Sequence, residues 1–338
     1  MNSDQTRALK SLISLGDLLN PQNKELLSAI SRTYAENNWL TEPNYLKSLS
    51  HWAEILNEKG LTSFMSPYPN CSKSLRVGVI MAGNIPMVGF HDLLCVLLSG
   101  HTAIVKPSSD DKYVMNYICE TLNSFGLQKP IEVAERLEGI DAVIATGSNN
   151  SHRYFEYYFR TKPSLLRKNR KSITILSGNE SLEELNLLSD DIFTYFGLGC
   201  RNVSTIAIPE GMDITKILDQ TMSWQMLKDH NKYANNYTYH RALLLMNQAH
   251  HLDTGFCLIQ NKRDLNAPLA CLYYFEYKNE DDIREFLEEN AENIQCTVGN
   301  YSDVCSVPFG ESQKPDLQDY ADGIDTMHFL SNLDKSTI

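Results

Sequence analysis

RVGVIMAGNIPMVGFHDLLCVLLSGHTAIVKPSS, residues 76–109, changes its hydrophobic period twice. LRVGVIMA, from residue 75, is an apolar, β-branched run of strand length and suits a strand buried on both faces. PMVGFHDLLCVLLSG then spaces its apolar residues for a helix that Gly100 can close, and TAIVK (102–106) returns to strand. Strand, helix and strand at these lengths make a βαβ unit, whose crossover sets the two strands parallel.

The alternation continues on the C-terminal side. DDKYVMNYICETLNSFG places Val114, Ile118, Leu122 and Phe125 on one helical face, with Gly126 as the stop. IEVA and DAVIAT read as short strands, SHRYFEYYF as a helix and SITIL as a strand, so the sequence predicts a doubly wound parallel sheet. Ser181 and Glu184 have the spacing of a capping box that starts the next helix, which ends near Gly197 and Gly199. VSTIAIP, bounded by Pro209, is a further strand; a helix around 213–228 and β-like runs at 256–276 and 294–298 follow. The expected domains are a helical segment at 1–70, a nucleotide-binding α/β domain at 71–194, a catalytic α/β domain at 195–310 and an extension at 311–338.

The 338 residues are 42% hydrophobic, enough for a substantial core. Thirty basic against 42 acidic residues give a formal charge of −12, which opposes nucleic-acid binding over most of the surface. RTKPSLLRKNRK (160–171) runs the other way: it is either a solvated basic loop or a contact for phosphates of a nucleotide or coenzyme A. No uninterrupted apolar run reaches membrane-spanning length, and the N-terminus lacks the pattern of a signal peptide. Eight cysteines with no C-x-x-C pair, and no export signal, fit a reducing cytoplasm and give no support for a zinc ribbon.

Chemistry gathers at three turns that follow strand ends, where a doubly wound sheet binds ligands. In MAGNIPM, Asn84 either makes a turn or donates its amide to an oxyanion. In VKPSSDD, Lys106 emerges at a strand end and Pro107 turns the chain away. In ATGSNNSH, Gly147 permits close approach and Ser148 stands at a helix start, a backbone phosphate site. The G-x-G-x-x-G fingerprint of dinucleotide folds is missing. FGLGCRNVS (196–204) then sets Cys200 directly after one glycine; it is either a nucleophile or a small core residue.

In this order, the three turns and the Gly-flanked cysteine resemble the aldehyde dehydrogenase superfamily. The likeness covers roughly 75–210, including LSGNESLEELNLLSDDIFTYFGLGC, and recurs more faintly at VPFG (307–310). It implies an aldehyde-dehydrogenase-like α/β fold, with Cys200 as nucleophile, Asn84 as oxyanion donor, Lys106 on the adenosine ribose and Ser148 on the pyrophosphate. Hydrolysing members carry a general-base glutamate where this chain aligns Ile175 in TILSGNE, so water is poorly activated and acyl exchange with coenzyme A is favoured. The short chain, the altered FGLGC and the ending FGESQKPDLQDYADGIDTMHFL make it most similar to the LuxC-type fatty acyl-CoA reductases.

That resemblance implies reduction of an acyl-CoA or acyl-carrier substrate to an aldehyde through a cysteine acyl-enzyme, in the cytoplasm. The family position that faces the ribose, three residues beyond the Lys-Pro lysine, is Ser109 instead of an acidic residue, which favours NADPH and leaves NADH open. Other readings remain: an acylating or semialdehyde dehydrogenase, or a silent member that binds nucleotide or a partner. A homo-oligomer and a complex with an acyl-transferring or acyl-activating enzyme are both compatible with the resemblance.

Overall fold

The computed structural model describes residues 3–69, 71, 73–147, 149–301 and 303–333. Four helices come first: α1 (Ser3–Leu18), α2 (Lys24–Glu36), α3 (Glu42–Ile55) and α4 (Glu58–Met65). β1 (Arg76–Ile80), α5 (Phe90–Ser99) and β2 (Thr102–Lys106) then form the expected βαβ unit, with β1 and β2 paired in parallel from Arg76↔Thr102 to Ile80↔Lys106. α6 (Lys112–Ser124), β3 (Glu132–Val133), β4 (Ala142–Thr146), α7 (Asn149–Phe159) and β5 (Ser164–Arg167) complete a parallel sheet of order β3-β2-β1-β4-β5.

Both faces of this sheet are covered, as the continuous apolar strands require. Val77, Val79, Ala103 and Val105 pack on one side with α5 and α6. Ile104, Val143 and Ala145 pack on the other with Phe155 and Phe159 of α7. Helix α5 is mostly apolar and buried along nearly its whole length, Asp92 included. Helices α1 to α4 contribute Leu12, Ile30, Tyr45 and Phe64 to the same core as the strands, so the first 70 residues do not form a core of their own.

Strand β5 lies in the stretch that the sequence suggested as a basic patch. Pairing with β4 turns Arg167 inward, where Nη1 meets Asp92 Oδ2 of α5 at 2.5 Å and Nη2 donates to Thr326 Oγ1 at 2.7 Å. Lys162 donates to the Ile140 carbonyl at 2.6 Å, and Arg160 lies over the Tyr157 ring. Arg167, 3% exposed and held by Asp92 and Thr326, is thereby removed from any phosphate-binding patch, while Arg160 and Lys162 stay exposed.

A second compact unit spans residues 170–315, and the first comprises 1–169 and 316–338. The second unit holds β6 (Lys171–Ile175), α8 (Leu182–Phe193), β7 (Val203–Pro209), α9 (Thr215–Thr221), α10 (Asn231–Met246), β8 (Leu252–Asp253), β9 (Leu258–Asn261), β10 (Cys271–Tyr277), α11 (Glu280–Glu289) and β11 (Ile294–Val298). Its sheet has the order β11-β6-β7-β10-β9-β8, with β8–β9 antiparallel and the other pairs parallel. The division falls at 169/170 and not at 194/195, because β6 pairs with β7 and β11 in this second sheet and brings α8 with it. The extension from residue 316 likewise returns to the first unit, where α12 (Thr326–Ser331) adds Met327 and Leu330 to the core around α5. Among the described residues no helix is long and apolar enough to cross a membrane.

Candidate functional site

In the first unit, β1 is flanked by β2 on one side and β4 on the other, so the strand order reverses there, and in doubly wound sheets ligands bind beyond the carboxyl ends of the strands at such a point. The turns that carry Asn84, Lys106 and Gly147 all leave from that edge. Asn84 is exposed, in the bend after β1. A Cβ on Gly83 would stand 2.7 Å from Ser108 Cβ and Oγ, so the Asn84 turn and the Lys-Pro turn touch only because residue 83 is glycine. A Cβ on Gly147 would stand 2.9 Å from Phe155 and Ser151 of α7, which brings bare backbone to the helix start. Ser148 lies outside the described residues.

Lys106 is half-buried at the end of β2 and donates Nζ to the Glu135 carbonyl at 3.0 Å. Ser109 is exposed at the start of a short 3-10 turn (Ser109–Asp111) that Ser108 caps by accepting from Asp110 N–H. Of the two acidic residues that follow, Asp110 is exposed and Asp111 is 1% exposed. The Asp111 carboxyl accepts from the Tyr45 hydroxyl of α3 and from Met87 N–H at 3.4 Å. Met87 has φ +63, so this carboxyl holds a left-handed residue three positions after Asn84. Burial pushes Asp111 up to about 7, opposed by those two hydrogen bonds.

Cys200 belongs to the second unit. Helix α8 begins at the expected capping box, with Glu184 N–H donating to Ser181 Oγ and Ser181 N–H to Glu184 Oε2. After it, Tyr195 (φ +55), Phe196 (φ +60) and Gly197 (φ +74) run consecutively in the left-handed region. Two bulky residues there cost on the order of 1–3 kcal/mol each and persist only where their surroundings over-determine them. Both side chains are buried, and the Phe196 ring lies 4.4 Å from that of His230. The turn of residues 199–202 follows and closes twice: Asn202 N–H donates to the Gly199 carbonyl at 3.2 Å and Gly199 N–H to Asn202 Oδ1 at 2.8 Å. Cys200 sits inside this turn, half-buried, with its carbonyl accepting from Ser172 Oγ at 3.0 Å.

The other thiols are poorer candidates. Burial pushes Cys119 and Cys271 up to about 12 and Cys305 up to about 11, and also raises Cys95 and Cys257 well above the usual thiol value, so these stay protonated and unreactive near neutral pH. Cys296 is buried against Ser172 Oγ at 3.1 Å, and Cys71 contacts His101 Nε2 at 3.4 Å. Ile175 is fully buried with Phe275 and Phe286. Ser172, beside Cys200, stands at the start of β6 and Ile175 at its end, about 10 Å further at the usual strand rise. An apolar side chain enclosed there offers no base for water.

Residues 68–233 match the family described as acyl-CoA reductase (LuxC), a span that contains every candidate position named above. Solved structures with the same architecture include an aldehyde dehydrogenase of Bacillus cereus in complex with NAD+ (14% identity, 88% of this chain and 72% of that one, TM-score 0.61). An NADP-dependent glyceraldehyde-3-phosphate dehydrogenase of Bacillus halodurans complexed with NADP is also similar (13% identity, 90% and 75%, TM-score 0.66). Comparison with curated proteins gives no match. That match, just under half of the chain, likens this stretch to the LuxC acyl-CoA reductases. The fold of the chain is that of the aldehyde dehydrogenases, and the family match and the fold together support an aldehyde-forming acyl reduction.

Around Cys200, the structure adds groups that the sequence reading did not single out. Asn202 is 2% exposed and spends its amide on backbone. Asp191, at the end of α8, accepts from Gly310 N–H at 2.7 Å and Ser312 N–H at 3.0 Å, while Arg201 Nε donates to the Ser312 carbonyl at 2.6 Å. The faint VPFG likeness is thus tied to both ends of the cysteine loop. Burial raises the Asp191 carboxyl, against those hydrogen bonds. Burial lowers the Lys171 ammonium at the start of β6, opposed by the Cys200 charge. An asparagine two residues after a Gly-flanked cysteine was a readable signal; its four partners were not.

Proposed function

We propose that the protein reduces an acyl-CoA to an aldehyde by way of an acyl-enzyme on Cys200, with NADPH as the preferred reductant. The observation that carries this reading is the doubly closed 199–202 turn, which presents a half-buried thiol while burial holds five other thiols protonated. As thiolate, Cys200 Sγ bonds to the thioester carbon, the bond from that carbon to the coenzyme A sulfur breaks, and coenzyme A leaves as its thiolate. Asn84 is carried over from the family pattern as the oxyanion donor. A nicotinamide cofactor supplies a hydride to the acyl carbon when bound. Cys200 then departs as thiolate and the aldehyde is released.

The switch point between β1 and β4, with bare backbone at Gly83 and Gly147, suits a dinucleotide. Lys106, Ser109, Gly147 and Ser148 are the residues assigned to it. Ser109 is small and neutral, and Asp111 is committed to Tyr45 and Met87, which leaves Asp110 as the acidic group of that turn able to face a 2′-phosphate. The deciding experiment is incubation with acyl-CoA followed by peptide mass analysis, in the unmodified chain and in Cys200→Ala. One acyl group on the Cys200 peptide, lost in the variant while dinucleotide binding persists, is the expected result. Acylation of Cys71 or Cys296 in place of Cys200 overturns the assignment.

A further inference from the structure

We infer that Asn202 is a positioning residue for Cys200: its side-chain amide closes the nucleophile turn and ties it to the end of α8, which fixes the direction in which the thiol is presented. The inference rests on the reading of Cys200 as nucleophile. Asn202 Oδ1 accepts from Gly199 N–H at 2.8 Å, and Nδ2 donates to the carbonyls of Asp191 (3.1 Å), Ile192 (3.2 Å) and Thr194 (2.9 Å). Those three carbonyls belong to the last turn of α8 and its exit, where helical backbone has run out of intrahelical donors. One buried amide therefore satisfies the helix end and anchors the residue before the cysteine.

The segment between these two anchors is the left-handed run Tyr195–Phe196–Gly197. Its conformation is fixed at both ends by the same side chain, so loss of the amide frees the strained run to relax and carries Gly199 and Cys200 with it. Ser172 Oγ restrains the Cys200 carbonyl from β6, and Arg201 is held by Ser312, so the turn would be displaced and not unfolded. Reactions of a fixed nucleophile with a fixed carbonyl lose on the order of a hundredfold for a misplacement of about 1 Å.

The test compares the unmodified chain with Asn202→Ala and Asn202→Asp. Single-turnover acylation by acyl-CoA is measured per reactive Cys200, the reactive fraction being counted by iodoacetamide labelling of the Cys200 peptide. In Asn202→Ala, acylation per reactive thiol falls on the order of a hundredfold, KM for acyl-CoA changes little, and iodoacetamide, which needs no fixed approach, reacts at nearly the same rate. Asn202→Asp keeps the acceptor for Gly199 and regains a donor only when protonated. Its rate relative to the unmodified chain therefore rises as pH falls, and this readout stands even if the alanine variant does not accumulate. Unmodified rates per reactive thiol in both variants, with only thermal stability reduced, would overturn the inference and leave Asn202 a structural residue. Acylation that survives Cys200→Ala overturns the nucleophile reading instead, and does so without any Asn202 variant.

Discussion

Replacement of Asp111 by asparagine should abolish the pH dependence that this residue imposes on the first unit. The carboxyl is 1% exposed, and its pKa rises from 3.8 in a free side chain to about 7 in the folded protein. Because the folded value is the higher one, the fold prefers the protonated acid. The stability contributed is complete below about pH 3.8 and is lost as pH rises through about 7. That interval corresponds to at most about 4 kcal/mol, at 1.36 kcal/mol per pH unit. An asparagine keeps an acceptor for Met87 N–H and can donate to the Tyr45 oxygen, but it does not titrate. The stability of Asp111→Asn relative to the parent should therefore increase by up to that amount between pH 4 and pH 8. Urea midpoints report it cleanly in a Trp224→Phe background, which leaves Trp39 and Trp52 of the first unit as the fluorophores. A stability difference that stays constant across this range would refute the argument that burial dominates at Asp111.

Three further outcomes follow from the proposed chemistry. Asn84→Ala should lower turnover about 10²- to 10³-fold, the loss typical of one oxyanion donor; unchanged turnover under chemistry-limited conditions reduces Asn84 to a turn residue. The acyl-enzyme should persist in water and discharge readily to coenzyme A, since Ile175 is an enclosed apolar residue and offers no base for water; rapid thiol-independent deacylation, followed by mass, contradicts this. Ser109→Glu should shift cofactor preference from NADPH toward NADH by about tenfold, equivalent to about 1.4 kcal/mol for a partly solvated charge pair; equal dissociation constants for the two cofactors in the parent chain would sink the idea.

Local periodicity in the sequence determined β1, α5, β2, α6 and β7, because each encodes its own conformation within a few residues: β-branched runs for buried strands, helical spacing closed by glycine, and the Ser181–Glu184 box at the start of α8. The Gly-flanked Cys200 and the Asn84, Lys106 and Gly147 turns were legible for the same reason, since turn chemistry is short-range. Helix α10 was not, because its sequence concentrates no apolar face and Tyr233 alone is buried along it. Tertiary structure decided which sheet β6 joins, since a parallel strand carries no mark of its neighbours in its own residues. It likewise turned Arg167 of an apparent basic patch into a buried partner of Asp92, and Asp111 of an apparent ribose loop into a group facing Tyr45. The Asn202 clamp belongs with these: burial and hydrogen-bond partners depend on which distant segments converge, and that convergence is a property of the packed chain that no local window of sequence contains.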